Sequence, residues 1–172
     1  MITERNRIDT VLSSQAIPFV VLDSNIWLDI LIFDDPRTRP IHAALISGKL
    51  VAWTDSRCYG ELARVLDYPQ FSQFKFCREE ALAWVQAHSR WFDGEKCDHA
   101  TALPQCSDLD DQKFLELARD CQANFLISKD KAVLKLASRM QKDCNVSVLL
   151  PEVFCRIHSL DLNIKNVIVD NQ

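Results

Sequence analysis

Four short, almost continuous apolar runs dominate the sequence, and each of them is followed by a polar residue or by proline. They cover residues 17–22, 50–53, 124–127 and 146–150. Runs of this length rich in β-branched residues are typical of strands covered on both faces. The chain is therefore predicted to form a central sheet with a layer of structure on each side.

Segments with helical character lie between these runs. Helices are predicted over residues 25–31, 40–48, 57–66, 78–92, 108–121 and 132–140, and a last one opens at Pro151. Ser24 or Asn25 is expected to cap the first helix. Strands that alternate with helices pair in parallel through crossover connections. The predicted fold is therefore an α/β fold, a three-layer α/β/α sandwich with a central, mostly parallel sheet.

The composition fits one globular domain. Of 172 residues, 48% are hydrophobic, enough for one ordinary core. We expect a domain over residues 17–158, an N-terminal extension over 1–16 and a C-terminal tail over 159–172. Asp29 interrupts the second of the two longest apolar clusters, so no membrane span is expected. Seven cysteines without a Cys-x-x-Cys pair are typical of reduced thiols, and we expect a cytoplasmic protein.

Acidic side chains occur near the carboxyl ends of the predicted strands and at the edge of a helix. Asp23 directly follows the first strand, and Asp130 follows a later one. Both could also be simple helix caps. Glu61 lies at the edge of an apolar helical stripe, where a charge needs a partner. The structural alternative for Glu61 is an ion pair with Arg57 or Arg64.

A further group of acids opens the helix predicted over residues 108–121. Asp108, Asp110 and Asp111 lie within four positions. The helix dipole tolerates one or two acids in a first turn, so three are more than capping requires. Asp111 aligns with one set of apolar residues and Asp110 with another. Helical periodicity therefore does not decide which of the two points inward.

Together these patterns predict four carboxylates at one edge of the sheet, with no basic residue in the set. Repulsion among them would raise their pKa values unless cations compensate. Oxygen ligands suit Mg²⁺ or Mn²⁺, whereas zinc would recruit His or Cys. A carboxylate pocket that holds one or two such ions favours phosphodiester hydrolysis.

Four motifs in this order resemble the PIN-domain family. They are Val20-Val21-Leu22-Asp23-Ser24-Asn25, then Asp55-Ser56 with Gly60-Glu61-Leu62, then the helix from Asp108 to Ala118, and then Leu126-Ile127-Ser128-Lys129-Asp130. The similarity runs from about residue 18 to 155 and is strongest to a bacterial group of toxin components of toxin-antitoxin systems. Ser24 stands where the family often has Thr, and Leu109 where it often has Pro.

The resemblance implies a Mg²⁺- or Mn²⁺-dependent endoribonuclease that cleaves single-stranded RNA and is often neutralised by an antitoxin protein. It assigns catalysis and metal binding to Asp23, Glu61, Asp111 and Asp130, to which we add Asp108 as a metal ligand. Asn25 and Ser128 would give polar support. The alternative is a catalytically silent PIN-like module that binds RNA or protein, which would be expected to have lost acids.

The charge balance limits how such a protein could hold RNA. The net charge is −4 and the sequence pI about 5.5, which argues against broad electrostatic capture of a polyanion. Binding would have to be local. We expect Arg57, Lys129 and Lys131 to contact phosphates at the rim of the pocket, because they follow the acidic positions closely.

An apolar stripe in the first helix suggests an interface. Ile26, Trp27, Ile30 and Leu31 are very apolar for a short surface helix. We expect part of this stripe to pack against a second copy in a homodimer or against an inhibitor. The alternative is that the helix belongs to the core.

Overall fold

Five short strands form one sheet in the computed structural model, which describes residues 16–94, 103–158 and 160. The strands are β1 (Phe19–Leu22), β2 (Val51–Thr54), β3 (Ser89–Trp91), β4 (Phe125–Ile127) and β5 (Ser147–Leu149). Their order is β3-β2-β1-β4-β5, and every pair is parallel. The predicted extension over 1–16 and tail over 159–172 lie outside the described residues, apart from positions 16 and 160.

Helices cover both faces of this sheet. They are α1 (Ser24–Leu28), which continues as a π-helical turn (Asp29–Phe33), α2 (Arg39–Ile46), α3 (Ser56–Leu66), α4 (Arg78–His88), α5 (Gln112–Asp120), α6 (Lys131–Leu134), α7 (Ala137–Cys144) and α8 (Pro151–Ile157). A 3₁₀ turn spans Pro69–Phe71. None of the described helices combines the length and the apolar character needed to cross a bilayer.

Strand alternation divides the core in two. Val20 and Leu22 of β1 face a cluster formed mainly by α1, α2, α4 and α8 and by the C-terminal half of α3. Val21, between them, faces the cluster of α5, α6 and α7. Successive side chains of a strand point to opposite faces, so a strand buried on both sides must be apolar throughout. The predicted α/β fold with a parallel central sheet is confirmed.

The strand order creates a crevice beside the central strand. From β1 the chain moves outward to β2 and then β3, and it returns to place β4 on the other side of β1. In parallel sheets, the carboxyl ends of the strands at such a reversal are the usual binding position. Asp23 follows β1, and Ser128 and Asp130 follow β4. The fold thus brings these residues together at the point of reversal.

The helix predicted over residues 78–92 is too long at its C-terminal end. It ends at His88, and Ser89–Trp91 instead form the edge strand β3, with Ser89 in register with Ala52. A three-residue edge strand with a polar residue at its centre shows too few residues for its period to be recognised. Only pairing with β2 decides its conformation.

Two other predicted helices also differ from the structure. The helix predicted over 108–121 begins at Gln112, because the Asp108 carboxylate accepts a hydrogen bond from the backbone N–H of Asp110 (3.0 Å) and holds a turn there. The helix predicted over 132–140 is divided into α6 and α7 at residues 135–136. There the N–H of Leu136 bonds the carbonyl of Val133 three residues back.

Three of the four residues of the apolar stripe in the first helix, Ile26, Trp27 and Ile30, are buried within one copy of the chain, and Leu31 is partly buried. Ile26 is fully buried and Trp27 is 4% exposed. The Trp27 ring packs edge-on against Trp84 with centroids 6.4 Å apart. The stripe therefore belongs to the core and gives no support to a homodimer or inhibitor surface, so the homodimer remains a prediction without this basis.

Burial of Trp27 leads to a stability prediction. Trp27→Ala should lower the free energy of unfolding by about 3–5 kcal/mol, since it removes a large buried ring and leaves a cavity. Urea denaturation followed by circular dichroism measures this loss. Ile46→Ala, at a side chain 60% exposed, is the control and should change stability by less than about 0.5 kcal/mol. If the difference in unfolding free energy between Trp27→Ala and the wild type disappeared when both proteins were diluted, Trp27 would lie at an interface between copies instead.

Candidate functional site

Asp23 lies between β1 and α1 and is the N-cap residue of α1. Its backbone N–H donates to the carbonyl of Ile127 at 3.0 Å, which extends the pairing of β1 with β4 by one residue. Its carboxylate caps α1: Oδ1 accepts from the N–H of Asn25 (3.3 Å) and Oδ2 from the Asn25 side-chain amide (2.8 Å). The expectation that Ser24 or Asn25 caps this helix was therefore wrong. Asp23, the residue directly after the strand, already supplies the cap.

Ser128 and Asn25 tie the ends of β1 and β4 together. The fully buried Ser128 hydroxyl donates to Asp23 Oδ2 at 2.5 Å and accepts from the N–H of Asp130 at 2.9 Å. Asn25 Oδ1 accepts from the N–H of Lys129 at 3.2 Å. Both side chains contact Asp23 and the chain after β4, which is the arrangement expected of supporting polar residues.

Asp130 caps α6 with one carboxylate oxygen. Its Oδ1 accepts from the N–H of Ala132 at 2.6 Å and, more weakly, from that of Val133 at 3.4 Å. No hydrogen bond to Oδ2 is found among the residues that the structure describes. The capping alternative is therefore correct for Asp130, and it leaves the second oxygen available to another ligand.

Glu61 lies on α3, and both of its oxygens are engaged. Oε1 accepts from the Ser24 hydroxyl at 2.9 Å, and Oε2 pairs with the ammonium of Lys113. The expected partners form no ion pair with it: Arg57 pairs with Asp55 and Glu116, and Arg64 donates to the Tyr68 hydroxyl. The expectation that no basic residue enters the acidic set was wrong as well. The position of Glu61 at the edge of an apolar stripe signalled the need for a partner, but only the tertiary contact identifies Lys113.

The acidic turn before α5 is held in place by Gln112. Its side chain accepts from the N–H of Cys106 (2.7 Å) and donates to the carbonyl of Pro104 (3.3 Å). Asp110 is exposed, whereas Asp111 is partly buried, and no described residue hydrogen-bonds the Asp111 carboxylate. Sequence reasoning missed Gln112, because a glutamine in a helical first turn carries no sign that it holds a loop.

Electrostatic interactions connect the carboxylates of the site. The pKa of Asp111 is raised to about 7, first by burial and then by the charges of four other acids, Asp23, Asp130, Asp108 and Glu61. These acids come from four separate segments. The position of Asp111 therefore lies within the field of all the acids assigned to the site.

Asp23 shows the same effect in a more buried position. The pKa of Asp23 is raised to about 6, mainly by burial, and the charges of Glu61 and Asp130 act in the same direction. The hydrogen bonds from Ser128 and Asn25 oppose the rise. A buried carboxyl group whose neighbours are also acids is costly to ionise unless a cation lies nearby.

The donor set fits a hard divalent cation by its chemistry. Neither the carboxylate oxygens of Asp111 nor Oδ2 of Asp130 accept a hydrogen bond from a described residue. The other oxygen ligands that the site could offer a cation are also carboxylates. Mg²⁺ and Mn²⁺ prefer such ligands. In the metal-free chain no three His, Cys, Asp or Glu side chains of the described residues are already gathered around one point. An ion would therefore have to draw the carboxylates of the site together as it binds.

The three basic residues expected at the rim differ in their surroundings. Arg57 pairs with Asp55 (2.9 Å) and with Glu116. Lys129 reaches back to the buried Asp29 at 2.5 Å. Neither side chain is free of an acidic partner.

Lys131, by contrast, is exposed and lines an open groove. The groove runs between the acidic turn and α6, and its walls include Asp108, Asp130, Lys131 and Lys135. It begins at the carboxylate pocket, since Asp130 belongs to both. A charged chain bound in the groove would therefore pass beside the acids.

The raised pKa values predict the pH dependence of stability in the metal-free protein. The folded chain holds protons on Asp23 and Asp111 up to about pH 6 and 7, whereas the unfolded chain releases them near 3.8. The folded state thus binds more protons between these limits, and the contribution of both groups to stability falls as pH rises from about 4 to 7. In EDTA, Asp111→Asn should flatten this fall, as measured by melting temperatures between pH 4.5 and 8. The exposed control Asp110→Asn should retain the wild-type slope; equal slopes in all three proteins would show that Asp111 is not in the acidic field.

Comparison with known proteins gives one match. Searches of curated proteins and of solved structures found no match. A sequence model described as "PIN domain" matches residues 19–132, well over half of the chain. The matched segment contains Asp23, Glu61, Asp111 and Asp130 and ends just after the last of them. The chain belongs to the PIN-domain family.

Proposed function

We propose that this protein is a metal-dependent endoribonuclease that hydrolyses phosphodiester bonds of single-stranded RNA. PIN domains are generally nucleases, and one observation here supports activity in this chain. The four acids Asp23, Glu61, Asp111 and Asp130 are all present, and the strand reversal beside β1 brings them into one electrostatic field. A binding module without catalysis has no need to retain this repulsive arrangement.

In this proposal the residues of the site have different roles. Asp23, Asp111 and Asp130 would hold Mg²⁺ or Mn²⁺, with Asp108 at the margin, and the ion would lower the pKa of water and offset phosphate charge. Ser128 and Asn25 would fix the orientation of Asp23 through the hydrogen bonds described above. The attacking group would be water rather than the 2′-hydroxyl of the RNA. The products would then carry 5′-phosphate and 3′-hydroxyl ends.

The biological setting is a further part of the proposal. The sequence resembles toxin components of toxin-antitoxin systems, so we propose a cytoplasmic toxin held by an antitoxin protein, and a homodimer stays part of this proposal. A small DNA-binding protein encoded immediately upstream would support it. Copurification of the two encoded chains would test the pairing directly.

Loss of single carboxylates should separate catalysis from stability. Asp23→Asn and Asp111→Asn should each reduce Mn²⁺-dependent cleavage of a single-stranded RNA at least about 100-fold, because each removes an anionic ligand. Without metal, their melting temperatures should equal or exceed that of the wild type, since one repelling charge is lost. Gel analysis of a labelled RNA and differential scanning calorimetry measure the two effects.

The matched control is Asp110→Asn, which changes an exposed acid next to Asp111. It should retain most of the activity. An inactive Asp110→Asn with an active Asp111→Asn would reverse the assignment of the two acids. Products ending in a 2′,3′-cyclic phosphate would contradict attack by water and therefore the metal-dependent mechanism.

The groove predicts where flanking phosphates bind. Lys131 and Lys135 line it, whereas a phosphate would have to compete with carboxylates for Arg57 and Lys129. Replacing Lys131 and Lys135 by Ala should weaken RNA binding and lower the slope of log affinity against log salt by roughly 0.7 per lysine, as for single strands. Arg57→Ala and Lys129→Ala should have smaller effects on this slope.

Binding should also depend on the cation. Ca²⁺ should strengthen the binding of a non-cleavable RNA analogue, because the ion neutralises the pocket at which the scissile phosphate lies. Fluorescence anisotropy with Ca²⁺ and with EDTA measures this difference. Equal affinities would show that cations do not hold the substrate, and an unchanged salt slope in the double variant would place the phosphate contacts elsewhere.

A further inference from the structure

Lys113 is a cation already present among the acids. Its ammonium pairs with Glu61 Oε2, and the other oxygen of Glu61 accepts from Ser24. Both side chains are largely shielded, with 17% of Lys113 and 12% of Glu61 exposed. The pair therefore stands inside the site rather than on the surface, where ion pairs contribute little.

The local structure fixes Lys113 in this position. Its ammonium also donates to the backbone carbonyl of Asp110 and lies 5.3 Å from the centre of the Phe114 ring. It is anchored in the first turn of α5, two residues after Asp111. Its charge is thus held between the acidic turn and α3, where the negative field of the pocket is strong.

No other described basic side chain makes an ion pair with the four acids. Arg57 is engaged by Asp55 and Glu116, and Lys129 by Asp29. Lys131 is exposed in the groove. Lys113 is therefore the one fixed positive charge that offsets part of the repulsion between these carboxylates within the described chain.

We propose that Lys113 takes the place of a second divalent cation in the pocket. The pocket then binds one ion, at Asp23, Asp111 and Asp130. Glu61 is held by Lys113 and is not a ligand. This rests on the proposed function only in that the pocket binds Mg²⁺ or Mn²⁺. A divalent ion at Glu61 would have to displace an ammonium in direct contact with its oxygen, or lie beside it against like-charge repulsion. Lys113 is thus a positioning residue that sets the number of ions.

Metal stoichiometry tests this inference without any measurement of activity. The full chain is freed of metal with EDTA, dialysed and titrated with Mn²⁺ in an isothermal calorimeter. The wild type should bind one Mn²⁺ per chain. Lys113→Met, which keeps an unbranched side chain of nearly the same length but removes its charge, should bind a second Mn²⁺. Lys113→Arg should still bind one, because it restores the positive charge.

Two further variants locate the ions. Glu61→Gln should still bind one Mn²⁺ with an affinity within about threefold of the wild type, and Glu61→Gln in Lys113→Met should abolish the second site. Lys131→Met is the matched control, since it removes an exposed lysine of the same rim, and it should keep one ion. The melting temperature of each variant in EDTA shows that it is folded. In EDTA, Lys113→Met should melt at a lower temperature than the wild type, and Mn²⁺ should raise its melting temperature by more than it raises that of the wild type.

The outcomes distinguish this inference from the proposed function. Two Mn²⁺ ions bound by the wild type, or one ion bound by both the wild type and Lys113→Met, would overturn the role of Lys113 and leave the nuclease proposal standing. Loss of all Mn²⁺ binding in Glu61→Gln would show that Glu61 is a ligand and would also overturn it. A wild-type chain that binds no Mn²⁺ and gains no stability from it would overturn the nuclease proposal itself.

Discussion

The hydrogen bond from Ser128 to Asp23 joins the two strands on which the site depends. It links the end of β1 to the end of β4 at the point where the strand order reverses. Asn25 adds a second link from α1 to the chain after β4. Both links are buried or partly buried, where a hydrogen bond to a charged group is stronger than at the surface and costly to leave unmade. They place Asp23 and Asp130 within the same small region.

Ionised carboxylates are electrostatically unfavourable in this region. The raised pKa values of Asp23 and Asp111 show that burial and mutual repulsion disfavour ionisation. The fold reduces this cost in two ways: hydrogen bonds to Asp23 stabilise its charged form, and Lys113 neutralises Glu61. The negative charge that remains uncompensated lies mainly at Asp111, whose carboxylate accepts no hydrogen bond from a described residue. Sites that keep such a charge imbalance are commonly functional, because a ligand can relieve it.

Structural roles and proposed functional roles coincide at two of these acids. Asp23 caps α1 and Asp130 caps α6, as their positions after strands would suggest for any protein. Capping explains their place at the ends of the strands but not their shared field with Asp111 and Glu61. A carboxylate has several lone pairs, so at Asp130 one oxygen holds the helix and the other stays available. The two explanations of such an acid are therefore compatible rather than competing.

Local chemistry in the sequence determined the parallel sheet, the acids after β1 and β4 and the order of the main elements, because apolar runs and capping residues act over a few positions. The sequence also indicated that Glu61 needed a partner. Tertiary structure alone decided that the partner is Lys113, that Trp27 lies in the core, that residues 89–91 form an edge strand and that Asp111 rather than Asp110 faces the acids. Each of these depends on contacts between segments distant in the chain. Helical period and residue type do not specify such contacts, since they describe one segment at a time.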